Sequence, residues 1–198
     1  MSTPKRRRDV DNSPPAPGDV ELVRSFLSLH DHEGDDERSL PPSHRSLREF
    51  FVERGLLRPD EPAGPDELET AFVLHRSLHR KVPDNADAPF SSEDAAVIEE
   101  AARAARLELR FEPDGPPRIE PMATGVAGAL GRILAVAFLA QLDGSWAHLK
   151  QCADETCTSV FYDRSKNRSG KWCSMQSCGN RNKVRAWRAR QSTRGPAA

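Results

Sequence analysis

Apolar positions recur with helical spacing along most of the chain and with a two-residue spacing in one stretch. Leu22, Val23, Phe26, Leu27 and Leu29 share one face of a helix beginning near Val20, with Asp19 placed to cap it. A second helical pattern runs from Ser43 to Leu57, with Leu47, Phe50, Phe51 and Leu57 inward and Gly55 ending its regular part ahead of Pro59. A third spans Asp66 to Val82, striped by Leu68, Phe72, Leu74 and Leu78 and closed by Pro83. Ser91 caps a fourth, with Asp94 at the third position and Val97, Ile98 and alanines along the body from Ala95 to Arg106. The period then shortens. Leu107, Leu109 and Phe111 alternate with charged residues, and Arg118 to Glu120 returns after Pro113-Asp-Gly-Pro-Pro117, which predicts a hairpin lying against the helices. Thr124 to Leu142 is the most apolar segment. Arg132 and three glycines interrupt it and it is short for a span, so it reads as a central helix buried on most sides rather than a membrane helix.

The pattern changes character after Asp143-Gly-Ser145. All four cysteines fall in the last third, as Cys152 and Cys157 and then Cys173 and Cys178, each pair separated by four residues. Three chemistries compete for them: one zinc ion, two disulfides, or four unrelated buried thiols. No apolar stretch follows Met-Ser-Thr-Pro-Lys-Arg-Arg-Arg, so no secretory signal is read there, and paired cysteines in a non-secreted chain point to metal. Four thiolates fill a tetrahedral shell and leave no open position, so the expected zinc is structural rather than catalytic. Its binding energy would fold a segment too short to build a core alone. Leu149-Lys-Gln-Cys152 should enter a strand-turn-strand knuckle and Val160-Phe-Tyr162 leave it, and a helix should start near Cys178. On that helix Val184 and Trp187 share a face expected to pack onto the finger, with Arg181, Arg185 and Arg188 on one side and Lys183 and Arg190 on the other. Asp163 and Asn180 read as structural groups that bond backbone or Arg164, and Gly179 and Asn180 as either architecture or a device that places Arg181.

Charge sharpens the picture. The net charge of −1 hides a basic start of +2 over residues 1–18, an acidic body of −11 over residues 19–145 and a basic end of +8 over residues 146–198. The basic part is the one suited to phosphates. Its cations form two groups: Arg164, Lys166, Arg168 and Lys171 between the cysteine pairs, and Arg181, Lys183, Arg185, Arg188 and Arg190 on the final helix. The run Lys5-Arg-Arg-Arg8 reads as part of a solvated, disordered tail. Histidines 30 and 32 read as exposed loop residues. His75 and His79 stand four apart, but Arg76 occupies the place where a zinc protease needs glutamate, so they read as surface or groove histidines. No Gly-rich phosphate loop, no Gly-x-Ser-x-Gly elbow and no zinc-deaminase signature is present, and an enzyme is the least expected class.

The run from Cys152 to Cys157, Phe161-Tyr-Asp-Arg-Ser165, Trp172-Cys-Ser-Met175 and Cys178-Gly-Asn-Arg181 with Lys183 resembles the CGNR zinc finger over about forty residues. That resemblance implies an N-terminal domain of the type called ABATE, whose traces here are Phe26-Leu-Ser-Leu-His-Asp31 and the Phe50-Phe51 to Gly55-Leu-Leu57 stretch. It further implies a stress-related, DNA-binding bacterial transcription regulator. The expected organisation is α+β, mainly α: a tail (1–18), a helical domain with a β-hairpin (19–145), a zinc finger (146–192) and a short tail (193–198). The expected function is DNA binding in the cytoplasm, on the nucleoid, without a membrane and with a homodimer or protein partner engaged through the N-terminal domain. RNA binding and protein-interaction adaptor remain as alternatives, RNA gaining if Phe161, Tyr162, Trp172 and Trp187 are mostly exposed.

Overall fold

A computed structural model describes residues 13–32, 39–82 and 89–193. Residues 1–12, the acidic loop at 33–38, residues 83–88 with Pro83, and residues 194–198 lie outside the described residues. Residues 13–18 of the predicted first tail are described, with Ser13 and Ala16 buried. Helix α1 is Val20–Leu27, α2 His44–Glu53, α3 Pro65–Lys81, α4 Ser92–Ala105, α5 Gly125–Leu142 and α6 Asn180–Thr193. Three small antiparallel pairs accompany them: β1 Asp31–His32 with β2 Ser39–Leu40, β3 Leu107–Arg110 with β4 Arg118–Pro121, and β5 Leu149–Gln151 with β6 Val160–Tyr162. The chain is therefore α+β and mainly α.

The helix starts follow their local chemistry. The Ser43 hydroxyl accepts from the Ser46 N–H at 3.2 Å, and the Ser91 hydroxyl from the Asp94 N–H at 3.1 Å. Pro65 opens α3, where its missing N–H costs nothing, and Glu67 reaches back to the Gly64 N–H at 2.7 Å. Asp19 departs from expectation: it stands at the N-cap position before α1 but its side chain makes no cap, because its backbone is already helical. Glu21 takes the acidic role instead, accepting from the Ala16 N–H and from Arg24.

Val23, Phe26, Leu47, Phe51, Leu74, Leu78, Leu130 and Ile133 form the buried centre, with α5 packed against α1, α3 and α4. By length and composition alone α5 could cross a membrane, yet over half of it is buried inside this core. Within α5, Gly131 shows why a small residue stands there. A Cβ at that position would come within 2.7 Å of both Ala105 and Pro121, so the end of α4 and strand β4 could not seat on α5.

His75 corrects the surface assignment. It is buried on the inner face of α3, edge-on to Phe26 with ring centroids 5.3 Å apart and stacked on His79 at 5.7 Å. Helical periodicity places it between Ala71 and Leu78, on the face turned to α1. Burial pushes its pKa down to about 3, aided by the neighbouring His79, so the ring is neutral.

Trp146, Leu149 and Val160 belong to the same core as the helices, so the β5–β6 hairpin is shared by the helical body and the cysteine-bearing segment. Polar groups reinforce this seam. The Val160 N–H donates to the Ser28 hydroxyl at 3.0 Å, the buried Arg24 donates to the Val160 carbonyl at 3.3 Å, and His79 Nε2 lies 3.0 Å from the Thr158 carbonyl oxygen.

Candidate metal centre

The four cysteines converge as the spacing predicts. Strand β5 delivers Cys152, whose N–H donates to the Ser159 carbonyl, and the turn between β5 and β6 carries Cys157, whose N–H donates to Asp154. The second pair arrives on the far side. Cys173 follows Trp172, and Cys178 sits in a π-helical turn, Met175–Gly179, that runs directly into α6. All four are buried and unbridged, with their sulfur atoms within 4.8 Å of one another. Cys157 Sγ to Cys173 Sγ is 3.8 Å and Cys173 Sγ to Cys178 Sγ is 3.6 Å. A zinc–sulfur bond of about 2.3 Å gives a tetrahedron with edges of about 3.8 Å. The donor set and its spacing thus fit one zinc ion, while the separations rule out disulfides in this arrangement.

The thiols also shift one another. Crowded together, they hold the Cys157 thiolate low through hydrogen bonds from Cys152 and Cys173, while Cys152 is pushed up to about 12 and Cys173 also upward. Four thiolates this close coexist only with a positive centre among them. The ion is structural, since four sulfurs occupy every tetrahedral position.

Two buried carboxylates brace the site. Asp154, in the turn between Cys152 and Cys157, has no exposed side-chain surface. It accepts from the Thr156 N–H at 3.1 Å and hydroxyl at 2.9 Å, then from three side chains of α6: Arg181 Nε at 2.8 Å, Asn182 Nδ2 at 2.9 Å and Arg185 Nη1 at 3.1 Å. Arg181 also donates to the Cys178 sulfur at 3.1 Å. The guanidinium thus ties a ligand of one pair to the turn of the other, and places positive charge against a thiolate. Burial pushes the Asp154 carboxyl upward, but the Thr156 hydrogen bonds and the charges of Arg181 and Arg185 outweigh it and leave its pKa lowered.

Asp163 braces the opposite flank. It accepts from the Ser165 N–H at 2.9 Å, the Gly170 N–H at 2.8 Å and Lys150 Nζ at 3.0 Å, closing the loop that carries Arg164 to Gly170. These bonds overcome burial and hold its pKa at about 2. Its cationic partner is Lys150 rather than Arg164, whose guanidinium reaches the Pro15 carbonyl at 2.6 Å and lies over the Tyr162 ring. Asn180 donates to the Gln176 carbonyl. Gly179 is architectural by contact: a Cβ there would lie 2.9 Å from the Met175 sulfur and 3.3 Å from Trp172.

The cations separate by role. Arg181 is largely enclosed by the Asp154 and Cys178 contacts, and Arg185 is half-exposed with one nitrogen on Asp154. Lys183, Arg188 and Arg190 are exposed along α6, and Arg164, Lys166, Arg168 and Lys171 are exposed on the loop. Val184 and Trp187 overturn their assignment. Instead of packing onto the finger they are 46% and 55% exposed. The small finger core comprises Phe161, Trp172 and the four cysteines and includes no residue of α6, so among the described residues nothing buries these two side chains. Asp154 was missed in the sequence although its signal was there. An Asp two residues before Thr in a tight turn between ligands is a residue that bonds local backbone. Arg24 and Ser28 carried no such signal, because their partner lies over 130 residues away.

No curated protein matches the chain. Residues 148–191 match the model of the CGNR zinc finger family, and with four buried thiols set at zinc-binding distances this segment of the chain is a CGNR zinc finger.

Proposed function

We propose that the chain is a DNA-binding regulator that presents α6 and the loop before Cys173 to duplex phosphates. The observation that carries this reading is the exposure of α6. Every residue from Lys183 to Gln191 is solvent-facing, and the helix holds five cations and no acid. Fourteen residues of helix extend about 21 Å, enough to lie along a groove. The acidic body of −11 would repel a polyanion and so direct it to this end. In this reading Lys183, Arg188 and Arg190 meet the nucleic acid, while Arg181 chiefly positions the helix. The chain has no catalytic role.

Duplex DNA is favoured over single-stranded RNA by the aromatic residues. Phe161 is buried, Trp172 and Tyr162 are half-buried, and Tyr162 stacks on His148, which leaves Trp187 as the exposed ring among the four. Single-strand recognition relies on several such rings. Selection by the zinc-loaded protein from random duplex DNA and RNA pools at near-physiological salt tests the reading. Enrichment of a DNA motif is expected. Replacing Lys183 or Arg188 by alanine should weaken binding and reduce the salt slope by about one each. Enrichment of RNA alone, or of neither pool, refutes the reading.

A further inference from the structure

Helix α6 carries two apolar side chains that none of the described residues bury. Val184 and Trp187 are three apart in the chain, so at about 100° per residue they stand about 60° apart and form one stripe along the helix. Both are half-exposed. Gln191, seven residues beyond Val184, falls between them in direction and is exposed. The helix is fixed at its start by Asp154, which accepts from Arg181 at 2.8 Å, Asn182 at 2.9 Å and Arg185 at 3.1 Å. Those three residues point on average about 140° away from the stripe, so the clamp that faces the finger turns the stripe outward. Cations flank it on both sides. Arg188 stands about 70° from its midline on one side and Lys183 about 70° on the other, with Arg190 beyond Lys183. All three are exposed.

We infer that this stripe faces the floor of a DNA major groove and selects A·T base pairs through the thymine methyl group, an inference that rests on the DNA-binding reading above. A groove about 12 Å wide admits one helix, with base edges at its floor and phosphates along both rims. A helix that meets both rims needs cations on two sides and an uncharged stripe between them. That is the order around α6: Lys183, then Trp187 and Val184, then Arg188. The apolar feature of a base pair in this groove is the thymine C5-methyl group, which apolar side chains contact. Its partner adenine is bonded by Asn or Gln, the residue type at position 191. Two other occupants are disfavoured. A second copy would bring the five cations of its own α6 against these five. A bilayer surface holds a helix in proportion to the apolar area buried, and two side chains over about four turns offer little.

The test compares the duplex that the full-length zinc-loaded protein enriches with the same duplex made with deoxyuridine in place of every thymine. Removing the methyl groups should weaken binding by about four-fold for each one contacted. Val184→Ala and Trp187→Ala, both at exposed positions, should keep the zinc content and the helical circular dichroism. Trp187→Ala should weaken binding to the thymine duplex about ten-fold and shrink the loss on methyl removal. It should leave the salt slope as it was, in contrast with Lys183→Ala. Acrylamide quenching of Trp187, which is more exposed than buried Trp146 and half-buried Trp172, should fall when the duplex is added. It should persist with heparin or polyglutamate, which are polyanions without bases. Binding indifferent to deoxyuridine, the same methyl dependence in both alanine variants, or equal shielding of Trp187 by heparin, polyglutamate or phosphatidylserine vesicles would overturn the inference. If no duplex is enriched, the DNA-binding reading fails and this inference with it, whereas a duplex bound without regard to its thymine methyl groups refutes this inference alone.

Discussion

Truncating Asp154 to alanine should cost more stability than any other single polar change in the finger. Its carboxylate has no exposed side-chain surface and receives three donors from α6 and two from Thr156. A hydrogen bond to a charged group contributes about 1.5–3 kcal/mol and a neutral one about 1 kcal/mol. Arg185 is half-exposed and can turn to water, so its share is small. Arg181 cannot, being three-quarters enclosed. Counting Arg181 fully and Asn182 as neutral gives about 2.5–4 kcal/mol, overlapping the about 3–5 kcal/mol found when one partner of a buried ion pair is removed. The assay is urea unfolding at fixed free zinc, with amide exchange read along α6. The first turns of α6 should exchange about 100-fold faster or more, because a 1.4 kcal/mol loss is a factor of ten. Asp154→Asn keeps shape and one acceptor oxygen but loses charge, and should lose about half as much. A loss below about 1 kcal/mol with α6 protection intact would refute the view that Asp154 clamps the helix to the metal site.

Other outcomes follow from the same contacts. His75 is neutral in the fold with its pKa near 3, so the unfolded chain, titrating near 6.5, binds the extra proton as pH falls. Its stabilising contribution is complete above about pH 6.5 and declines toward pH 3, by about 2 kcal/mol at pH 5. His75→Leu should flatten the stability slope between pH 7 and pH 5 relative to the parent, and an unchanged slope would show the ring is not desolvated. Chelation at neutral pH should open Cys152, Cys157, Cys173 and Cys178 to alkylation and raise exchange across the finger. Helices α3 and α5 should stay protected, because their core contains no metal ligand. Loss of protection throughout would mean zinc holds the whole fold. Gly179→Ala should lower the unfolding midpoint modestly, by about 1 kcal/mol, since the exposed Met175 can yield but Trp172 must shift. A neutral result by the same urea assay would show that the turn has room.

Periodicity, caps and cysteine spacing were local properties, and they determined much. The six helices, the β3–β4 hairpin, the β5–β6 knuckle and the four-thiol site could all be read from residues close together in the chain, because capping, alternation and ligand pairing act over a few residues. What tertiary structure decided were the long-range choices. Whether Val184 and Trp187 face a core depends on how far the finger extends beneath α6, which no helical wheel contains. His75 is a core residue only because α1 lies across α3. Arg181 and Arg185 looked identical to Arg188 in sequence. They differ because a buried carboxylate from another turn meets the first two and not the third. Division of the chain into a helical body and a finger followed composition. The joining of the two through Val160, Ser28 and Arg24 arose from contacts between residues more than 130 apart, for which a single sequence holds no local trace.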